Sequence, residues 1–467
     1  MFLSTGKEVI DMFYEIKNRE GGFGRIGLIL ILPFIILVLA YGAYKLFLVP
    51  DPVVHGIEAF NFLPAEKTVK LDSENIRSIK ITIYQDGKTI DVLKDVPETG
   101  EKVYSLDLRP IELGLTDGRA ITSITAESGL LKKIQYDIES VIDTVPPILK
   151  IIKAPSVVHQ GSGGFAVLRA AGEESVFITL VEKVQSGEDK VFRAFKVSPG
   201  DGGEAGSTRA GAERDIEATY YVFFPAPFDS GEGSAFYAAA TDPAGNRNIQ
   251  ALPARLKMNK YNSSSINIDD GFINRVISPL LNETHIPDPA AAFREVNEEW
   301  RQQSLLRLMD IAKQTEPRIL WKGRFLQLKN SKVMATYGDR RTYRYKGNPI
   351  SKSAHLGYDL ASFAHAPVQA ANAGIVRFAG NFSIYGNTVI IDHGLGLMSL
   401  YGHLSTIAVN NGQEVSQGEV IAETGATGLA GGDHLHFSML IHGYEISPLY
   451  WWDANWVRIN VTDFLPL

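Results

Sequence analysis

The sequence predicts a mainly β fold with an N-terminal transmembrane helix, two β-sandwich modules, a helical linker and a C-terminal antiparallel β domain. Three observations carry that reading. Residues 26–44 (IGLILILPFIILVLAYGAY) contain no charged side chain. From about 60 to 259, short alternating segments recur between turn residues. Beyond about 320 alternation returns, now with most of the histidines.

The chain has 467 residues, enough for three or four units at roughly 100–200 residues per domain. A composition of 45% hydrophobic and 21% charged residues is that of a globular protein and excludes global disorder. Net charge is −7, from 46 basic and 53 acidic side chains, which argues against nucleic acid as a partner. Cysteine is absent. Disulfides, thiol catalysis, iron–sulfur clusters and cysteine-ligated zinc are thereby excluded, so any metal must be held by His, Asp or Glu.

As a helix, the apolar run reaches ~28 Å at 1.5 Å per residue, close to a bilayer's hydrocarbon thickness. Pro33 is tolerable in a membrane span. The following LFLVP offers no small-residue cleavage site, so residues 26–48 read as an uncleaved signal anchor. Lys17, Arg19 and Arg25 precede the run and only Lys45 follows closely. Residues 1–25 are therefore expected in the cytoplasm. The bulk of the chain is expected in the periplasm or otherwise outside a single-pass inner-membrane anchor. Val9, Ile10, Phe13 and Ile16 form a partial stripe suited either to the inner membrane surface or to a frayed tail.

Module 1 is expected over 60–145. It opens with the alternating 79–84, turns at Asp86-Gly87 into 89–93, and continues through 103–108, 121–126 and 130–138. The stiff Asp143-Thr144-Val145-Pro146-Pro147 junction separates it from module 2, over 146–259. Strands of module 2 are expected at 148–152, 165–170, 176–181, 191–197, 219–224 and 235–240, with a Gly-rich loop at 200–214. Its end, Ala240-Thr241-Asp242-Pro243-Ala244-Gly245-Asn246, resembles the A-x-D-x-x-G-N hairpin of bacterial immunoglobulin-like domains. Neither module gathers titratable residues, so both read as spacers or binding modules open to envelope protein partners. His55 and His159 read as isolated surface residues.

The linker, 260–322, turns to helical period from 266 to 316. Asp288 is placed to cap a helix with Pro289 at its first position, and Pro317 to stop it. Phe293, Val296, Trp300, Leu308 and Ile311 fall on one face. Such a helix either packs on its neighbours or lies across the cleft of the domain that follows, 323–467.

Seven of the ten histidines lie between His355 and His442. His355-x-Gly357-x-Asp359 can bring an imidazole and a carboxylate to one metal. His434-x-His436 on a strand sends both imidazoles to one face, with Leu435 and Phe437 on the packed face. His403 ends a strand at 398–401. These motifs occur in order with Pro367-Val368-x-Ala370, Gly374-x-Val376, Tyr385-Gly386-Asn387-x-Val389, Tyr401-x-His403-Leu404, Gly412-x-x-Val415-x-x-Gly418 and Thr427-Gly428. Tyr337-Gly338-Asp339-Arg340 precedes them and resembles an F-G-x-R strand. Together they resemble the lysostaphin/LytM-type zinc metallopeptidases from about 325 to 456.

The resemblance implies one zinc ion per chain, held by His355, Asp359 and His436 with a fourth position open. It also implies His403 and His434 as non-ligand catalytic histidines, with His434 favoured as base because it shares a strand face with His436. The implied fold is antiparallel β, and the implied activity is hydrolysis of peptide bonds in cell-wall peptidoglycan. Asp433 and Ser438 stand where the family commonly has Pro and Glu, and Pro349 stands where some members carry a tyrosine that aids the oxyanion. His365, His393 and His442 fall outside the pattern and read as turn or loop residues. A catalytically inactive scaffold that activates other cell-wall hydrolases is the alternative, disfavoured because all five site residues are present. A biotinyl- or lipoyl-carrier reading of 412–420 fails because no lysine follows Lys352.

Overall fold

The computed structural model describes residues 24–47, 50–97, 100–128, 132–182, 189–196 and 217–465, with the side chains of 32–43 described in the first segment. The stripe at 9–16, the residues 1–23 that set the orientation, and the loop at 200–214 lie outside the described residues. A helix spans Gly24–Phe47 with Pro33 inside it. Among the described residues, however, no helix is long and apolar enough to cross a membrane. The transmembrane helix of the expected fold class, its membrane contact through 26–48 and the inner-membrane location are corrected accordingly.

The chain divides into two compact units, residues 1–145 with 244–246, and residues 146–243 with 247–467. The first contains a three-stranded sheet (Val53–His55, Lys67–Glu74, Lys102–Leu108) and a five-stranded sheet. In Ser78–Gln85, Ile79, Ile81 and Ile83 are buried while Lys80 and Tyr84 are exposed. That period-two alternation gives a sheet one apolar face. The buried face meets Val69 and Leu71 of the other sheet in a single core.

The second unit begins with a five-stranded and a four-stranded sheet. Phe165 and Val167 of Ser162–Ala171 point one way; Ala166 and Leu168 point the other, so this strand contributes to two cores. The expected helical period from 266 starts late. Ser263–Ile268 is a strand, parallel to Arg340–Tyr345, because its Ile266 and Ile268 alternate with polar residues. Asp288 caps the helix as expected, accepting from the Ala290 and Ala291 amides at 3.0 Å each. Helix continues over 289–312 with a π turn at Glu295–Glu299.

The C-terminal sheet is built from β1 (Lys332–Ala335), β2 (Tyr358–Ala361), β3 (Gly374–Asn381), β4 (Asn387–Gly394), β5 (Leu397–Leu404), β6 (Glu414–Val415) and β7 (Leu435–Ile441), with β8 (Tyr444–Ile446). Their spatial order is β1-β2-β7-β5-β4-β3-β6, with β8 also paired to β7 and all pairs antiparallel. The central strands β4, β5 and β7 are almost wholly buried because both faces are covered. On one face, Leu435, Phe437 and Met439 join Trp321, Phe325 and Trp451, together with Phe165 and Phe223 from the preceding sheet. On the other, Met398, Leu400 and Leu440 meet Phe293, Val296, Leu308 and Ile311 of the helical segment. The helix therefore roofs one end of the face that also carries His436. Its apolar stripe packs on the sheet rather than crossing the open end.

His393 departs from its reading as a turn residue. It is fully buried in β4, with Nδ1 2.8 Å from the Ala373 carbonyl oxygen and Nε2 2.8 Å from Ser399 Oγ. Burial lowers its pKa to about 4, and the bond to Ala373 opposes that shift. It is a satisfied polar core residue.

Candidate functional site

Antiparallel register creates the centre of the site. Asp359 on β2 and His436 on β7 are directly opposed, and Gly402 of β5 opposes His436 on its other side. His355 lies just before β2, where its backbone amide donates to Asp339 O at 2.9 Å. The turn between His355 and Asp359 must pass close to β7. A Cβ at Gly357 would lie 2.5 Å from Cε1 and Nε2 of His436, so only glycine lets the loop approach.

Three side-chain atoms converge here. His355 Nε2 is 2.9 Å from Asp359 Oδ1 and 3.1 Å from His436 Nδ1. His436 Nδ1 is 3.1 Å from the same carboxylate oxygen. Among the described residues, these three form a group that could hold a metal ion. The remaining ring nitrogens fix the tautomers. His355 Nδ1 is 3.0 Å from Thr336 O, and a carbonyl can only accept, so Nδ1 carries the proton and Nε2 presents a lone pair. His436 Nε2 faces Ser438 Oγ at 3.2 Å and Glu445 Oε1 at 3.8 Å, which favours a proton on Nε2 and a lone pair on Nδ1. Two imidazole lone pairs and a carboxylate thus point at one place, an arrangement a cation satisfies. Their spacing also approaches the ~3.3 Å edge of a tetrahedron with bonds of about 2.05 Å.

Burial opposes ionisation of Asp359, yet its neighbours His355, His434 and His436 outweigh burial and hold its pKa well below the ordinary carboxylate value. Burial also pushes His436 down, but its bonds to Asp359 and Glu445 and their charges outweigh it and raise the pKa. For His355 burial prevails and the pKa is lowered.

His434 and His403 stand beside this centre. His434 Nδ1 is 2.8 Å from Gly432 O, and its Nε2 lies 3.5 Å from Asp359 Oδ1. His403 ends β5 with a left-handed φ of 64° and places Nδ1 2.8 Å from Thr427 O. Both rings thereby keep Nε2 as the acceptor. Their centroids are 4.8 Å apart. Burial, with help from the neighbouring His434 and His436, lowers the His403 pKa to about 3. Leu435 and Phe437 are both 2% exposed on the opposite face. The structure thus brings all five sequence-predicted residues together in a cavity of about 140 Å³.

The outlying histidines do not enter that cavity. His365 is exposed, with Nδ1 3.1 Å from Ser405 Oγ. His442 sits in the turn after β7, its Nε2 3.1 Å from Phe223 O. Asp433, standing in place of the family's proline, accepts from Thr424 Oγ1 at 2.6 Å and from the His365 amide at 3.2 Å, and so anchors the loop before β7.

Sequence reasoning missed four contributors. Glu445 on β8 is buried and approaches both Ser438 Oγ, at 3.3 Å, and His436. It thus brings a carboxylate close to where Ser438 replaces the family's glutamate. Arg341 bridges Asp339 and Asp359 at 3.3 and 3.5 Å. Tyr385 packs its ring 5.4 Å from that of His436, and burial together with Glu445 keeps its hydroxyl protonated. Arg301 reaches the cavity wall from the helix Trp300–Ala312. The departure at Ser438 invited a search for another carboxylate, and Tyr385 stood in a family motif without a role assigned to it.

Residues 353–448 match peptidase family M23. The chain is 38% identical over 109 residues to the DD-carboxypeptidase/endopeptidase Mpg of Neisseria meningitidis serogroup B, covering 23% of this chain and 25% of that protein. It is 33% identical over 120 residues to the peptidoglycan DD-endopeptidase ShyA of Vibrio cholerae, covering 25% and 27%. The matched region therefore spans about a quarter of the length of these curated relatives. Among solved structures, the catalytic domain of lysostaphin from Staphylococcus simulans aligns at 27% identity over 26% of this chain and 92% of that one, with a TM-score of 0.22. The chain carries a peptidase M23 domain.

Proposed function

We propose that the chain is a zinc-dependent endopeptidase that hydrolyses peptide bonds of bacterial cell-wall peptidoglycan. The observation that carries this reading is the convergence of His355 Nε2, Asp359 Oδ1 and His436 Nδ1 within 3.1 Å of one another. The relatives named as peptidoglycan endopeptidases support the substrate class. Bound by these three residues, zinc would polarise the scissile carbonyl and bring the pKa of water towards ~7.

His434 is the general base of the proposed reaction. Its Nδ1–H is committed to Gly432 O, so its Nε2 lone pair is free to take a proton from the attacking water. The oxygen of that water bonds to the carbonyl carbon, the C–N bond breaks, and the proton passes from His434 to the leaving amine. Atoms balance with no further reactant. His403 orients the water through its own Nε2. Oxyanion support from that nitrogen would require a second proton on the ring, which a pKa of about 3 disfavours.

The test is incubation of the full chain, metal-loaded and metal-stripped, with purified peptidoglycan. Mass spectrometry should find new peptide amino termini only with the loaded protein, at about one zinc per chain. Intact cross-links in both samples would remove the reading.

Glu445 supplies a separate prediction. A carboxylate near the outer nitrogen of a ligand histidine typically raises metal affinity 10–100-fold. Glu445→Gln keeps the shape but removes the charge, so zinc dissociation measured by chelator competition should be about 10–100-fold easier. An unchanged constant would confine Glu445 to a packing role.

A further inference from the structure

The helix Trp300–Ala312 covers the sheet face on which His436, Ser438 and Leu440 alternate, and it ends its cover where the cavity begins. At that edge it contributes Arg301, which lies outside the matched residues 353–448. Its Nε donates to Asn297 O and its Nη2 to Asn297 Oδ1, both at 3.1 Å. Both acceptors are neutral. Among the described residues no carboxylate is paired with Arg301, whereas Arg341 in the same wall is committed to Asp339 and Asp359.

The guanidinium is also held in place. Asn297 is fully buried within the π turn and donates to Ser351 Oγ at 2.8 Å. A π turn inserts about one extra residue into the helical period, which re-phases the following turn. A guanidinium has five N–H donors in a rigid fork, and the two bonds to Asn297 leave Nη1 uncommitted. A planar fork with spare donors, oriented from behind and lacking a counter-ion, suits a carboxylate.

Resting on the peptidase reading above, we propose that Arg301 is a specificity-determining residue that binds a free carboxylate of the substrate, so that the cleft selects acidic over amidated peptides. The linker helix thereby forms part of the substrate site.

The experiment uses the full zinc-loaded chain and two cross-linked peptidoglycan stem peptides, identical except that the carboxylates flanking the cross-link are free in one and amidated in the other. The unmodified protein should cleave the acidic peptide with a kcat/KM at least tenfold higher, mainly through a lower KM. Arg301→Gln should bring the ratio close to one, and Arg301→Lys should retain part of it. Because the readout is a ratio, a folding defect that lowers both rates equally does not imitate the effect. A preference that survives Arg301→Gln, or no preference in the unmodified protein, would overturn the assignment while leaving the peptidase reading intact. Failure to cleave either peptide would overturn both.

Discussion

His436→Ala should lower zinc affinity by about two to three orders of magnitude and leave no measurable peptide hydrolysis. The magnitude follows from the metal's total binding energy. Zinc sites with four protein ligands are worth roughly 10–16 kcal/mol, or about 2.5–4 kcal/mol per ligand, and each decade of affinity corresponds to about 1.4 kcal/mol. Asp359→Asn is the companion variant. It keeps the side-chain shape but removes the anion on which His355 and His436 converge. Metal content after dialysis and competition with a chromophoric chelator would measure both variants. In the unmodified protein, protons and metal compete for His436, whose pKa is raised by Asp359 and Glu445 against the effect of burial. Below that raised value, apparent affinity should tighten about tenfold per pH unit for each proton displaced, then level off as pH rises above it. Normal zinc content in His436→Ala, at unchanged secondary structure by circular dichroism, would exclude it as a ligand.

The parts of this site that were legible in the sequence depend on local geometry. His355 and Asp359 lie four residues apart around a glycine, and His434 and His436 flank one strand residue, so both pairs follow from turn and strand periodicity. The glycine itself has a structural cause that the motif only hinted at, the approach of Gly357 to the His436 ring. Residues joined by long-range packing were not legible. Arg301 reaches the cavity because a π turn re-phases the helix and because that helix packs on Leu400 and Leu440, more than ninety residues away in sequence. The parallel pairing of Ser263–Ile268 with Arg340–Tyr345 hid a strand inside a segment read as helical. His393 was misread because a histidine before Gly394 looks like a turn, although Ala373 O and Ser399 Oγ satisfy it in the core. The apolar run at 26–44 was judged by its length, its lack of charge and its flanking residues, which do not by themselves establish a membrane span.

His434→Gln is expected to separate chemistry from metal binding. Its Nε2 is 3.5 Å from Asp359 Oδ1, farther than either His355 or His436, so the three converging donor atoms survive its removal. Zinc content should therefore remain near that of the unmodified protein. Turnover should fall by about 10²–10⁴, the usual contribution of a positioned acid–base group. The loss should appear in kcat, because the proton moves only as the transition state forms. His403 is poorly suited to replace it. Its pKa of about 3 makes it a weak proton acceptor. His403→Gln should therefore reduce kcat less than His434→Gln does, by roughly tenfold or more rather than several decades. Single-turnover hydrolysis with matched zinc content would compare the two. Should His403→Gln be the more damaged enzyme, the roles of the two histidines must be exchanged, with the proton leaving through the buried ring instead of the one at the cleft mouth.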